Sequence, residues 1–277
     1  MRPSSPSAQG AVDLAFGNPM RHRPRKRFGQ NFLVDGAVIS EIVDAIYPRR
    51  GEGLVEIGPG LGALTRPLLE RLDHLHVVEI DRDLVSRLRA DFPLARVTVH
   101  ERDALTFDFA TLGSGLRVVG NLPYNISTPL LFHLAQSAAS IRDIHVMLQR
   151  EVVERMVARP SSSDYGRLSV MIQYRFQLEP LMTIPATAFR PVPKVESAVV
   201  RMVPFGRLPH CARDEAWFGR IVTAAFSQRR KTLRNALKRY IGADDFSRLG
   251  VDANLRPQDL AIAEFVRLAD FAASAGA

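Results

Sequence analysis

Leu54-Val55-Glu56-Ile57-Gly58-Pro59-Gly60-Leu61-Gly62 decides the fold. A short apolar strand with one acid inside it runs into three glycines at alternate positions. Leu64, Leu68, Leu69 and Leu72 then follow at helical spacing. Strand, glycine turn and helix make the repeating unit of an α/β sheet, and glycine lets a ligand approach the backbone closely. The spacing is G-x-G-x-G, not the G-x-G-x-x-G of dinucleotide folds, so a pyrophosphate is not required.

Working outward, Asp35 caps an expected helix whose apolar face is Val38, Ile39, Ile42, Val43 and Ile46. After the glycine turn, residues 75–80 read as a strand ending in Glu79-Ile80-Asp81, with a helix over about 82–91. Glu79 stands about 20 residues beyond the glycines, where an acid commonly grips ribose hydroxyls, so the pair points to an adenosine-containing cofactor. A strand over 97–100 precedes Asp103-Ala104. Asp103 can accept from an adenine amine, and read by itself it serves equally well as a loop cap. Strands follow at 116–119 and 144–148, with helices at about 128–138 and 150–158 and a polar loop at 160–164. Residues 177–184 and 197–203 look like two late strands, the second alternating as an edge or antiparallel strand does. The alternation implies a largely parallel sheet with crossover helices. Beyond Pro204 the pattern turns helical, over 217–226 and then over a segment with Leu233, Leu237 and Tyr240 on one face. Lys231, Arg234 and Lys238 lie beside that face. The expected organisation is a disordered leader at 1–24, an α/β domain at 25–204 and a small helical domain at 205–277.

Charge is unevenly placed. Residues 1–30 carry six Lys/Arg against one acid and residues 201–277 carry thirteen against eight, which leaves the middle at −2 within a total of +8. A near-neutral body between basic ends suits a polyanionic partner. One cysteine, Cys211, excludes an internal disulfide and a cysteine-cluster metal site and fits a reducing compartment. The seven histidines lack ligand-like spacing, and no apolar run is long enough to span a bilayer. The leader lacks the apolar segment of a secretory signal. The expectation is a cytoplasmic monomer with neither metal nor membrane.

Asn121-Leu122-Pro123-Tyr124 follows the strand at 116–119. Proline stiffens the backbone and keeps Leu122 out of helix. The Asn121 side chain and the Leu122 carbonyl can therefore converge on one amino group, while the Tyr124 ring lies over a flat heterocycle. Such a set suits the exocyclic amine of a nucleobase.

Phe28-Gly29-Gln30-Asn31-Phe32-Leu33, Glu56 to Gly62, Glu79-Ile80-Asp81, Asp103-Ala104 and Asn121-Leu122-Pro123-Tyr124-Asn125-Ile126-Ser127 stand in an order that resembles the rRNA adenine dimethyltransferase family, closest to its bacterial KsgA (RsmA) type. The likeness extends through Phe189-Arg190-Pro191-Val192-Pro193-Lys194-Val195 and residues 227–235 to the C-terminus. It implies a Rossmann-like class I S-adenosylmethionine-dependent methyltransferase domain with a small C-terminal helical domain. It also implies dimethylation of two adjacent adenosines in a hairpin loop near the 3′ end of small-subunit (16S) rRNA, the small ribosomal particle as partner, and a role in ribosome biogenesis. Carried over by the resemblance, Gln30, Asn31 and Leu33 border the methionine and ribose end of the cofactor. Gly58 meets it through the backbone, Glu79 takes the ribose hydroxyls, Asp103 and Ala104 take the adenine edge, and Asn121 faces both cofactor and target. Phe189 joins Tyr124 in stacking on the base, although core packing in a proline-rich loop explains it equally well. A 23S-type rRNA methylase and a largely non-catalytic RNA-binding assembly factor are the alternative functions.

Overall fold

The computed structural model describes residues 30–228 and 230–275. The leader 1–24, the basic stretch 25–27, Phe28, Gly29 and Arg229 lie outside the described residues. Two compact units emerge, one holding the described residues up to Arg150 with Glu179–Val203, the other Glu151–Leu178 with the described residues from Pro204. The sequence reading placed a single boundary at 204/205. The structure instead gives 151–178 to the helical unit, because the apolar side chains of that stretch (Tyr165, Val170, Tyr174) pack with Phe218, Ile221 and Phe265.

In the first unit, β1 (Phe32–Leu33) precedes α1 (Gly36–Ile46), whose N-terminus Asp35 caps by accepting from Ala37 and Val38 N–H at 3.0 and 3.2 Å. Next come β2 (Leu54–Ile57), α2 (Thr65–Arg71), β3 (Leu75–Glu79), α3 (Arg82–Asp91), β4 (Val97–Glu101), β5 (Leu116–Asn121), α4 (Ser127–Gln136) and β6 (Ile141–Gln149). Among the described residues, β7 (Phe176–Ile184) and β9 (Ser197–Pro204) complete a seven-stranded sheet in the order β4-β3-β2-β5-β6-β9-β7. The pairs from β4 to β6 are parallel and β6–β9 is antiparallel. β9 is thus antiparallel, as its alternation suggested, but interior to the sheet. β8 (Phe189–Arg190) pairs antiparallel with β1, with Leu33 opposite Phe189.

The chain builds β2, β3 and β4 outward in one direction, then returns to β2's other side with β5. Strand order therefore reverses between β2 and β5, and ligands of open α/β sheets bind beyond the carboxyl ends of the strands at such a point. β2 is buried along its whole length and β5 along all but its last residue, as expected for central parallel strands. Gly120 lets the two strand ends close up, since a Cβ there would sit 2.5 Å from the Ile57 carbonyl oxygen.

The opposite end of the sheet is tied by Arg117, which is 5% exposed. Its Nε donates to both Asp143 oxygens at 2.9 and 3.2 Å, Nη1 donates to Glu52 at 2.8 Å, and Nη2 donates to the Ile46 carbonyl at 2.7 Å. That last bond satisfies a carbonyl orphaned by the end of α1. Burial raises the Asp143 carboxyl, but His145, whose Nδ1 lies 3.5 Å away, and the bonded Arg117 outweigh it and bring it down to about 2.

The second unit contains α5 (Arg150–Val157, of which Glu151 onward belongs here), α6 (Arg167–Arg175), α7 (Glu215–Phe226), the one-turn helices α8 (Leu233–Ala236) and α9 (Asp245–Arg248), and α10 (Ile262–Ser274). The continuous helix expected around 231–240 is corrected to a single turn. The N–H groups of Leu233 and Arg234 bond to the Leu255 and Ala253 carbonyls, and Tyr240 reaches back only three residues to Leu237. Leu233 and Leu237 are nonetheless fully buried, and Arg230, Lys231, Arg234 and Lys238 are exposed.

Candidate active site

A cleft at the β2/β5 switch is lined by the glycine turn, the ends of β3 and β5 and the segment before β1. Gly58, Gly60 and Gly62 all have positive φ (65, 58 and 82°), a region costly for any residue with a Cβ. A Cβ on Gly60 would also stand 3.1 Å from the Phe32 ring. The turn thus exposes its backbone to the cleft while Phe32 packs across it.

Glu79 ends β3 and is 7% exposed. Its Oε1 accepts from the N–H groups of Ile80 and Asp81 at 3.0 and 2.9 Å. Burial pushes its carboxyl up, with the N–H groups of Asp81, Ile80 and Gly60 opposing. Asp81 caps α3 through Asp83 N–H and accepts from Gln30 Nε2 at 3.1 Å, which holds the 30–33 segment against the end of β3. Asp103 lines the cleft and also caps its own loop, its Oδ1 accepting from Leu105 N–H at 2.9 Å. The loop-cap reading of Asp103 is thus observed, and its place in the cleft leaves it available to a ligand there.

Asn121, the last residue of β5, donates from Nδ2 to the Asn31 carbonyl at 3.0 Å. A carbonyl only accepts, so this bond fixes which end of the amide faces Asn31 and leaves Oδ1 as the acceptor for anything entering the cleft. Leu122 commits its N–H to the Met147 carbonyl at 3.1 Å and buries its side chain, so the backbone is what it can offer a ligand. Tyr124 lines the cleft half-buried, with its hydroxyl 2.7 Å from Ser197 Oγ. Burial pushes the phenol up, Ser197 opposing, so the hydroxyl is neutral.

The structure gathers Gln30, Asn31, Leu33, Gly58, Glu79, Asp103, Asn121, Leu122 and Tyr124 around this one cleft. Ala104, between two cleft residues, is buried and is not among those lining it. Phe189 is corrected: it is fully buried in the core with Leu33, Ile184 and Val199, because its pairing with β1 commits its backbone and its ring fills the space beneath. Among the lining residues to which the sequence reading gave no role are Ile80 and Glu56. Ile80 is 46% exposed beside Glu79, and its signal was an apolar residue set between two acids at a strand end. Glu56, 2% exposed within β2, accepts from Thr65 Oγ1 at 2.6 Å. Burial raises its carboxyl to about 7, with Thr65 opposing and the charge of Glu79 adding. Its acid character inside an apolar strand was the available signal.

The family model for ribosomal RNA adenine dimethylase matches residues 21–274. The chain belongs to this family. It is 60% identical over 252 residues to ribosomal RNA small subunit methyltransferase A of Nitrosospira multiformis, covering 91% of this chain and 97% of that one. It is also 60% identical to the protein of the same description from Aromatoleum aromaticum, over 91% and 96% of the two chains. Among solved structures, a dimethyladenosine transferase from Plasmodium falciparum superposes with a TM-score of 0.70 over 84% of this chain and 94% of that one, at 22% identity, which establishes the shared fold. The 23S rRNA methyltransferase ErmE gives 0.66 over 87% and 99%, at 25% identity. The enzyme is thus an rRNA adenine dimethyltransferase with the Rossmann-like fold of class I methyltransferases. Among the described residues no helix is long and apolar enough to cross a membrane, and no group of three or more His, Cys, Asp or Glu is placed to hold a metal ion.

Proposed function

We propose that the chain transfers methyl groups from S-adenosylmethionine to the exocyclic amines of two adjacent adenosines in a hairpin loop near the 3′ end of 16S rRNA, acting on the small ribosomal particle in the cytoplasm during ribosome biogenesis. The observation that carries this reading is the Asn121 amide, whose Nδ2 is committed to the Asn31 carbonyl so that Oδ1 is left as its acceptor, in the cleft that Leu122 and Tyr124 also line. The small-subunit assignment rests on 60% identity to proteins described by that activity, against 25% to the 23S enzyme.

The donor set fits the cofactor. A sugar edge with two hydroxyls suits a buried carboxylate such as Glu79, an adenine amine suits Asp103, and the glycine turn admits a chain beside its backbone. Gln30, Asn31 and Leu33 close the side of the cleft formed by β1 and the residues before it. S-adenosylmethionine bound there supplies a sulfonium methyl. Asn121 Oδ1 and the Leu122 carbonyl accept the two N–H groups of the target adenine, favouring a pyramidal nitrogen whose lone pair is free to attack. Tyr124 stacks on the extruded base and holds it in line. With the methyl group supplied by S-adenosylmethionine held by Glu79, Asp103 and the glycine turn, the target nitrogen, kept aligned by Asn121 and Leu122, would give up its proton to solvent. Alignment supplies much of the barrier reduction. One N–H survives the first transfer, so a second can follow.

The test is to map N6-dimethyladenosine in rRNA from cells with and without the gene, and with the gene carrying Asn121→Ala. Loss of the paired modification from 16S rRNA in both altered strains is expected. Its persistence without the gene, or its loss from 23S rRNA instead, overturns the assignment.

A further inference from the structure

Tyr124 is gripped from a distant strand. Ser197, the first residue of β9, is fully buried and lies 73 residues along the chain from Tyr124, yet their hydroxyl oxygens are 2.7 Å apart. Ser197 is itself fixed: it pairs with Gln149 of β6, and the preceding Glu196 carbonyl accepts from Arg150 N–H at 3.0 Å. The backbone of Tyr124 is also held, its carbonyl accepting from Ser127 Oγ at 3.1 Å. A tyrosine side chain has two soft torsions. With the backbone set, anchoring the hydroxyl oxygen fixes the first, and the in-plane preference of a phenolic O–H biases the second. The ring that would cover the target base is thereby tied at both ends.

A stacking ring needs no such tether merely to bind a base, since an aromatic face attracts any π-system. A fixed ring height matters more when the amine beneath it grows by a methyl group between two turnovers. We infer that Ser197 is a positioning residue that holds the Tyr124 ring at one depth over the target amine and thereby carries the enzyme through the second methyl transfer. This rests on the functional reading above for its chemistry, though the tether itself does not.

Two measurements test it on the full chain. In the first, 3-fluorotyrosine is incorporated and the 19F signal of residue 124 is assigned by its absence in Tyr124→Phe. Ser197→Ala should sharpen or shift that signal as the ring is released, and an unchanged signal overturns the tether whatever the substrate is. In the second, single-turnover rates on unmodified and on monomethylated small-subunit RNA are compared. Ser197→Ala should lower the second rate relative to the first by about fivefold, the scale of one lost hydrogen bond, so that monomethyladenosine accumulates. Tyr124→Phe should do the same, and the double variant should be no worse than either. Equal losses in both transfers, or additive losses in the double variant, would mean that Ser197 only supports the fold. A wild-type enzyme that leaves this RNA unmethylated would refute the functional reading instead, while the 19F result still decides the tether.

Discussion

Replacing Glu56 by glutamine keeps the side chain's size and an acceptor for Thr65 while removing the only ionisable group within β2. The parent carboxyl is buried and raised from its ordinary 4.5 to about 7. At about 1.4 kcal/mol per pH unit, that displacement corresponds to about 3 kcal/mol. The sign follows from which state holds the proton. Between pH 4.5 and 7 the folded protein keeps it and the unfolded chain has lost it, so the stabilisation is complete below 4.5 and disappears as pH rises through about 7. Glu79 is shifted in the same direction and adds to the slope in both proteins. Burial lowers His76 and His100, with His100 and His74 adding to the effect on His76, so these groups cost stability as pH falls below their ordinary 6.5, again in both proteins. The informative quantity is therefore the difference between variant and parent. Urea unfolding at half-unit intervals from pH 4.5 to 8.5 should show Glu56→Gln gaining on the parent by about 3 kcal/mol across that range. Parallel stability curves would refute the argument that this carboxyl is paying for burial.

Asn121→Ala should slow single-turnover methyl transfer by about 100-fold, the scale of misalignment at the reacting atom, while changing RNA affinity little. A rate equal to the parent's removes Asn121 from the reaction. Glu79→Ala should weaken S-adenosylmethionine binding by roughly 1–3 kcal/mol, and calorimetry showing unchanged affinity in a folded variant would take Glu79 out of the cofactor site. Arg117→Met strands the buried Asp143 carboxylate and should cost about 3–5 kcal/mol of stability, whereas Arg142→Ala, which removes an exposed partner of Glu52, should cost no more than about 1. Denaturant titration separates the two, and equal losses would contradict the network's asymmetry. Replacing the exposed Arg230, Lys231 and Arg234 with alanine should flatten the salt dependence of RNA binding, because each lost phosphate contact releases fewer counterions. Parallel salt lines would rule out phosphate contact there.

Short-range physics wrote much of this protein legibly into its sequence. Asp35 and Asp81 cap helices because an aspartate reaches the N–H groups two or three residues ahead, and the helix after Asp81 begins and ends where its pattern indicates, at Arg82 and Asp91. The apolar runs of β2 and β5, the glycine turn and the acid at the end of β3 likewise declare an α/β sheet and the place of its cleft, since each depends on a few neighbours in the chain. Other properties are set by residues far apart in sequence and had no local signal. The side chain of Asn121 is oriented by a carbonyl 90 residues away, and the hydroxyl of Tyr124 meets a serine 73 residues on. Phe189 goes to the core because β8 pairs with β1, and residues 151–178 join the helical unit because their apolar side chains find partners there. Of the exposed cations after Arg230, Arg234 lies on the single helical turn and Lys231 and Lys238 lie outside it, because loop carbonyls at 253 and 255 take N–H groups that a helix starting earlier would have used. The protonation of Glu56 depends on how completely water is excluded, and that is settled only when the sheet closes over it.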